Sequence, residues 1–317
     1  MKSLRVVLRS EHCYSAEAWT GTGLQPRVKP SGAAYLVHDK LAKGLAELGH
    51  RVYYLLEKGA TAPLPPGVEL VSRPVPEADV YHNLKSDRRP WILTCHRFDP
   101  WPAPPPDNWV YVSRFLAGRY GRERFVWNGL DPQDYVFTER KEHYFLFISA
   151  MGESLREPKF LHKGLDVALE LARRLGFPLW VAGTGNRPQI IERVASLCAE
   201  GDVFYAGDVR GMEKARLLAG ARALLFPTRL PEGCPLVMIE ALMSGTPVIC
   251  SDRGACPELI TPEVGFVCSS LADWERAIAG ADRISPQACR QLALERFHYR
   301  SMAEGYVREY RRQMNGG

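Results

Sequence analysis

Residues 223–250 constrain the fold of this chain more than any other stretch, because they spell a strand, a loop, a helix and a second strand in order. Ala223-Leu224-Leu225-Phe226 is an apolar run of strand length and reads as a buried strand. Pro227, Pro231 and Gly233 mark a loop. Pro235 suits the first position of a helix, where its missing N–H costs nothing. A mostly apolar helix is predicted from Leu236 to Met243, with Gly245 as its stop, and Thr246 to Cys250 is the next strand. A βαβ unit of this kind belongs to a parallel sheet, and its loop opens at the carboxyl end of a strand, where such sheets bind ligands.

The loop carries its own chemistry. Backbone N–H groups around Gly233, Cys234, Leu236 and Val237 lie at a helix N-terminus, which favours an anion such as phosphate. Glu232 sits just before that point, and Glu240 lies inside the helix, roughly 7–8 Å from its start. Two carboxylates on either side of a phosphate site suit a molecule with hydroxyls on both sides of a diphosphate: ribose, diphosphate, sugar. The plainer alternative is a solvated Glu232 and a helix-surface Glu240. Glu240 is flanked by Ile239, Ala241 and Leu242, so it is expected to be partly buried, and a buried carboxylate needs partners.

The remainder of the chain repeats the alternation. Strands are predicted at 4–8, 52–56, 68–71, 80–81, 92–95 and 109–113, with a helix over 33–48. A second series runs strand 144–149, helix 164–175, strand 179–182, helix 187–199, strand 203–205 and helix 212–219. The Pro-rich piece 100–106 is a loop. The expected domains are 1–135 and 140–299, joined by a linker near 131–142. A basic amphipathic helix over 300–313 is suited to cross back to the first domain.

Composition sets limits. A chain of 317 residues accommodates two domains, and 46% apolar residues is ordinary for a globular protein. The net charge of +5 is compatible with a phosphate-bearing ligand or an anionic membrane surface and is no nucleic-acid signature. Eight cysteines occur singly with no C-x-x-C pair, which argues against structural zinc or a disulfide framework. The N-terminus MKSLRVVLRS lacks the apolar core of a signal peptide, and no run approaches a membrane span. The expected location is cytoplasmic, with any membrane contact peripheral, at the inner face.

The segment E-G-C-P-L-V-M-I-E-A-L-M-S-G-T-P-V-I closely resembles the donor-site motif of family 4 retaining glycosyltransferases. The resemblance implies the GT-B fold: two Rossmann-like α/β domains with parallel sheets facing a cleft. It implies that Glu232 contacts the donor sugar and Glu240 the ribose. The backbone of Gly233, Cys234, Pro235, Leu236 and Val237 would then meet sugar hydroxyls and the diphosphate. Cys234 stands where the family often has a bulkier residue. Pro30-Ser31-Gly32 resembles the N-terminal glycine loop, Val112-Ser113-Arg114-Phe115 and Trp127-Asn128-Gly129-Leu130-Asp131 resemble pieces near the cleft, and Ala182-Gly183-Thr184-Gly185 resembles the A-G-x-G turn. Gly32, Asn128, Gly183 and Gly185 are therefore expected near the donor. His96 resembles the histidine that contacts the donor sugar; His82, also at a strand end, is a second candidate.

One departure concerns charge. The family places G-R after the first strand of the second domain and K-G further on. This chain supplies Lys163-Gly164, but has Ser149-Ala150-Met151-Gly152 and then an insertion-like 153–159 in place of the Arg. Lys163 is the expected phosphate ligand, with Arg156 or Lys159 as substitutes for the Arg. The reading is a retaining, metal-independent glycosyltransferase with Glu232, His96 and Lys163 as catalytic residues and no permanently bound cofactor. Its donor is a nucleotide sugar, UDP favoured and GDP, dTDP or ADP open. Its acceptor is a glycan, a lipid-linked glycan or a natural product, with Trp19, Trp101 and Trp109 as places to look for contacts. An epimerase or phosphorylase on the same fold and a non-catalytic sugar-nucleotide-binding subunit are the alternatives. A dehydrogenase is disfavoured, since Arg9-Ser10-Glu11-His12 follows the first strand where G-x-G-x-x-G would be needed.

Overall fold

The computed structural model describes residues 2–10, 34–56, 64–87, 89–96, 107–152, 159–185 and 187–316. Gly32, Trp19, Trp101 and Arg156 lie outside the described residues. The chain divides into two compact units, Met1–Pro132 with Glu295–Gly317, and Gln133–Leu294.

In the first unit the strands are β1 (Arg5–Ser10), β2 (Arg51–Leu56), β3 (Val68–Val71), β4 (Val80–His82), β5 (Trp91–Cys95) and β6 (Trp109–Tyr111). Helix α1 (Ala34–Glu47) follows β1, and the short α2 (Arg114–Arg119) follows β6. The sheet order is β3-β2-β1-β4-β5-β6, and every pairing is parallel. The strand predicted over 109–113 is shorter than expected. Ser113 leaves it to cap α2, its hydroxyl accepting the Leu116 N–H at 3.1 Å.

The second unit opens with β7 (Phe145–Ile148), then α3 (Lys159–His162), α4 (Leu165–Leu175), β8 (Leu179–Ala182), α5 (Pro188–Leu197), β9 (Val203–Gly207) and α6 (Gly211–Gly220). It continues with β10 (Leu224–Phe226), α7 (Leu236–Met243), β11 (Val248–Ser251), α8 (Cys256–Leu259), β12 (Gly265–Cys268), α9 (Leu271–Gly280) and α10 (Pro286–Arg296). The final helix is α11 (Tyr299–Met314). The sheet order β12-β11-β10-β7-β8-β9 is again all parallel. Both sheets have the doubly wound order, in which the strand sequence reverses beside the first strand. That reversal lies between β1 and β4 in one unit and between β7 and β10 in the other.

The cores follow from the apolar runs. Phe145, Phe147, Phe160, Leu165, Leu179, Val181, Leu225 and Ile249 are fully or almost fully buried in one cluster of the second unit. Burying each large side chain of this kind contributes about 1.5–3 kcal/mol. Helix α7 is buried along most of its length, Glu240 included. It spans Leu236–Met243 as expected, but Pro235, expected at its first helical position, is instead the N-cap, with φ −71° and ψ 110°. Lys141 ties down the other end. Its ammonium donates to Ala219 O at 2.7 Å, Thr246 Oγ1 at 3.0 Å and Ser244 O at 3.5 Å, at the carboxyl ends of α6 and α7. A cation there complements both helix dipoles, while burial pulls its pKa down to about 8.

Within the first unit, α11 packs on α1 and β5. The Leu130 N–H donates to Phe297 O at 2.8 Å, and the Tyr299 N–H donates to Leu130 O at 3.0 Å. Among the described residues no helix is long and apolar enough to cross a membrane.

Candidate active site

The second unit brings Glu232 and Lys163, both predicted site residues, together at the carboxyl ends of β7 and β10. The loop after β10 carries Glu232, and the segment after β7 carries Lys163 at the junction of α3 and α4. Glu232 Oε1 pairs with the Lys163 ammonium and accepts the Thr228 hydroxyl at 3.3 Å. The two side chains are 16% and 23% exposed, so the pair is shielded yet open to a ligand. Lys163 also lies 5.9 Å from the centre of the Phe226 ring.

Two glycines make this juxtaposition possible. Gly164 has φ +81°, and a Cβ there would lie 2.0 Å from Pro227 O, the first residue after β10. The residue following Lys163 must therefore be glycine for α4 to approach the loop. Gly254 has φ +62°, and its Cβ would lie 2.2 Å from Glu232 N. The Ala255 N–H beside it donates to Glu232 O at 2.8 Å, so the Glu232 backbone rests on the turn after β11. An arginine completes the frame. Arg229 forks onto both Asp166 carboxylate oxygens at 2.7 and 2.6 Å and onto Leu161 O at 2.5 Å, and its N–H donates to His162 O at 2.8 Å. The bidentate geometry clips the β10 loop to α3 and α4. The Arg229 guanidinium holds the Asp166 pKa below the usual carboxylate value, against the opposing effect of burial. The sequence reading missed Arg229, since nothing in linear spacing pairs it with Asp166.

Glu240 is buried, and it has partners. Lys214 of α6 donates to Oε2 at 2.6 Å, and the Tyr135 hydroxyl lies 3.4 Å from Oε1. Lys214 and Tyr135 were also missed. Between Glu232 and Glu240 the N-terminus of α7 has no side-chain cap, and the Cys234 thiol beside it is half-buried. The arrangement is thus a helix start flanked by two carboxylates, each already neutralised by a lysine.

Gly183 and Gly185 have a packing role in this structure. A Cβ on Gly183, at φ +133°, would lie 1.9 Å from Ser149 O, and one on Gly185 would lie 3.0 Å from Ile190 Cγ2. They let the turn after β8 approach the Ser149–Met151 segment, which the Met151 N–H reaches at Thr184 O, 3.0 Å away. Lys159 opens α3, its N–H donating to Gly152 O at 2.7 Å.

In the first unit, polar side chains gather at the carboxyl ends of β1, β4 and β5. Asn83 adopts φ +58°, a left-handed conformation that asparagine tolerates. Its Oδ1 accepts the Thr94 N–H at 2.9 Å, which turns its Nδ2 to donate to His38 Nε2 at 3.1 Å. His38 Nδ1 is then the protonated nitrogen, donating to Ser10 Oγ at 3.1 Å. His96 is half-buried, its ring centre 5.6 Å from that of His38. His82 is fully buried, with Tyr310 OH and Thr94 Oγ1 each 2.7 Å from a ring nitrogen. It binds α11 to the sheet and presents no exposed edge. Asn128 is buried. A Cβ on the adjacent Gly129 would lie 2.8 Å from His298 O, so this turn is packed tightly on the start of α11. Trp109 is a buried core residue of β6.

These histidines set an acid limit. Burial first, and His96 second, push the His38 pKa down to about 3; burial first, then His38 and His96, push His82 well below its ordinary value. The unfolded chain binds protons below about pH 6.5 and the folded chain does not, so stability is complete above that pH and falls as the pH drops. His38 is expected to cost about 2 kcal/mol by pH 5, and His82 acts in the same direction. Denaturant midpoints measured from pH 7 to 5 check this, and an unchanged midpoint would refute the neutral buried state.

Comparisons with known proteins bear on the family and the fold. Residues 142–283 match the family model described as Glycosyl transferases group 1. The D-rhamnosyltransferase WbpZ of Pseudomonas aeruginosa is 29% identical over 160 residues, 46% of this chain and 39% of that protein. The MMP alpha-(1->4)-mannosyltransferase of Mycolicibacterium hassiacum is 32% identical over 127 residues, 37% of this chain and 31% of that protein. The chain thus matches less than half the length of these curated relatives. AviGT4, a glycosyltransferase involved in avilamycin A biosynthesis, superposes with a TM-score of 0.73 at 24% identity over 99% of each chain. HepE of Anabaena, solved in complex with UDP-glucose, gives 0.63 at 15% identity over 99% of this chain and 100% of that one. These likenesses show the GT-B fold class expected from the sequence.

Proposed function

We propose that this chain, which belongs to the group 1 glycosyltransferases through residues 142–283, transfers a sugar from a nucleotide-diphosphate sugar to an acceptor hydroxyl with retention of configuration. The observation that carries the proposal is the pair of lysine-neutralised carboxylates on either side of the α7 N-terminus. Glu232 accepts hydroxyls of the donor sugar, and Glu240 accepts those of the ribose. The α7 N–H groups and Lys163 meet the charge of the departing diphosphate, the largest electrostatic demand of the reaction. Lys163 exchanges Glu232 for phosphate oxygens on binding, and so also supplies part of what the missing Arg would provide. These cations stand in for a metal ion in this reading. His96 is the residue of the first unit that we assign to the reaction. Transfer follows front-face attack, with the leaving phosphate oxygen taking the acceptor proton.

The relatives' names point to mannosyl and rhamnosyl transfer, and the HepE complex to a UDP-sugar. UDP- and GDP-sugars therefore head the test panel, ahead of dTDP and ADP; glycans and lipid-linked glycans are the acceptor classes. In a thermal-shift screen, the right donor at 100 times its Kd stabilises by about 2.7 kcal/mol. Failure of all four nucleotide classes at millimolar concentration would overturn the proposal. Turnover of donor without acceptor would indicate an epimerase instead.

A further inference from the structure

We propose that Lys214 is a positioning residue of the donor site, holding the buried Glu240 carboxylate oriented toward the nucleotide ribose; this rests on the ribose assignment of Glu240 above. The Lys214 and Glu240 side chains are only 17% and 6% exposed, and their atoms meet at 2.6 Å. Burying a carboxylate so far from water is costly unless a cation compensates its desolvation. Removing Lys214 would leave a buried charge without its partner. Ribose hydroxyls need a strong acceptor, and a charged carboxylate is roughly twice as strong as a neutral one.

The orientation follows from which oxygen is used. Lys214 takes Oε2, while Oε1 meets the Tyr135 hydroxyl only at 3.4 Å, a long bond that leaves it able to accept a hydroxyl. Lys214 and Tyr135 are the titratable groups seen bonded to Glu240, one from α6 and one from the segment before β7. The pair also has a charge consequence. An uncompensated Glu240 would place a negative charge about one turn from the helix start that receives the diphosphate. Paired with Lys214, it presents hydroxyl acceptors without repelling phosphate.

The test is calorimetric titration with UDP and GDP, alongside donor kinetics. Lys214→Met is expected to weaken binding on the order of 30-fold. Lys214→Arg restores most of the affinity. KM for the donor rises more than kcat falls, since the ribose contact is made in ground and transition states alike. The double variant Lys214→Met with Glu240→Gln removes both charges together and so guards against a fold lost to the buried carboxylate. It is expected to bind no worse than Glu240→Gln alone, because Lys214 acts through Glu240. If Glu240→Gln weakens binding while Lys214→Met does not, or if the double variant is tenfold weaker than Glu240→Gln, the positioning role falls. If Glu240→Gln binds like the wild type, the ribose assignment itself falls.

Discussion

Glu232→Ala is expected to lower transfer, read as kcat/KM for the donor, by about 100- to 1,000-fold, the range lost when a preorganised electrostatic contact is removed. The fold should survive. The Glu232 backbone is held by the Ala255 N–H donating to its carbonyl and by the glycine turn beneath it, and neither uses the side chain. The side chain itself is part-exposed and meets only Lys163 and Thr228 among the bonds described above. The substitution also releases Lys163, so binding of the free nucleoside diphosphate should hold steady or tighten while transfer collapses. That divergence separates a sugar contact from a structural acid. Near-wild-type transfer by a folded Glu232→Ala protein would sink the assignment.

Gly164→Ala is expected to destabilise the second unit by about 3 kcal/mol or more. Its φ of +81° is strained for any residue with a Cβ, and the new methyl would lie 2.0 Å from the Pro227 carbonyl oxygen. A carbonyl at the end of a central strand cannot swing aside as a flexible side chain would. Gly176, at the other end of α4, is the matched control. It has φ +68° and nothing within 4 Å of its would-be Cβ, so Gly176→Ala should cost only about 1 kcal/mol. Denaturant midpoints of the two variants measure the difference. Equal midpoints would show that α4 does not approach Pro227 as closely as described.

The strand and helix pattern was largely legible because parallel sheets buried on both faces write continuous apolar runs, as in Phe145–Ile148, Leu179–Ala182 and Leu224–Phe226. Where runs were short or mixed, signals were weaker. Helices α8 to α10 and strand β12 went unread, although Ser270 and Asp273 form a capping box that opens α9. Boundaries moved where a side chain competed for backbone groups, as Ser113 does at α2.

The candidate site divides along the same line. Sequence by itself determined the strand, loop and helix that carry Glu232 and Glu240, because Pro, Gly and apolar spacing act locally on the backbone. It also indicated that Glu240 would be at least partly buried, because its neighbours along α7 are apolar. Only the tertiary structure decided which charge meets which. Lys163 with Glu232, Lys214 with Glu240 and Arg229 with Asp166 are joined across 69, 26 and 63 positions of chain. Such pairings depend on how close two helices or loops can approach, and at Lys163 that distance is set by a glycine with no Cβ against a strand-end carbonyl. Local propensity acts over a few residues, whereas Coulomb attraction acts through whatever space the packing leaves.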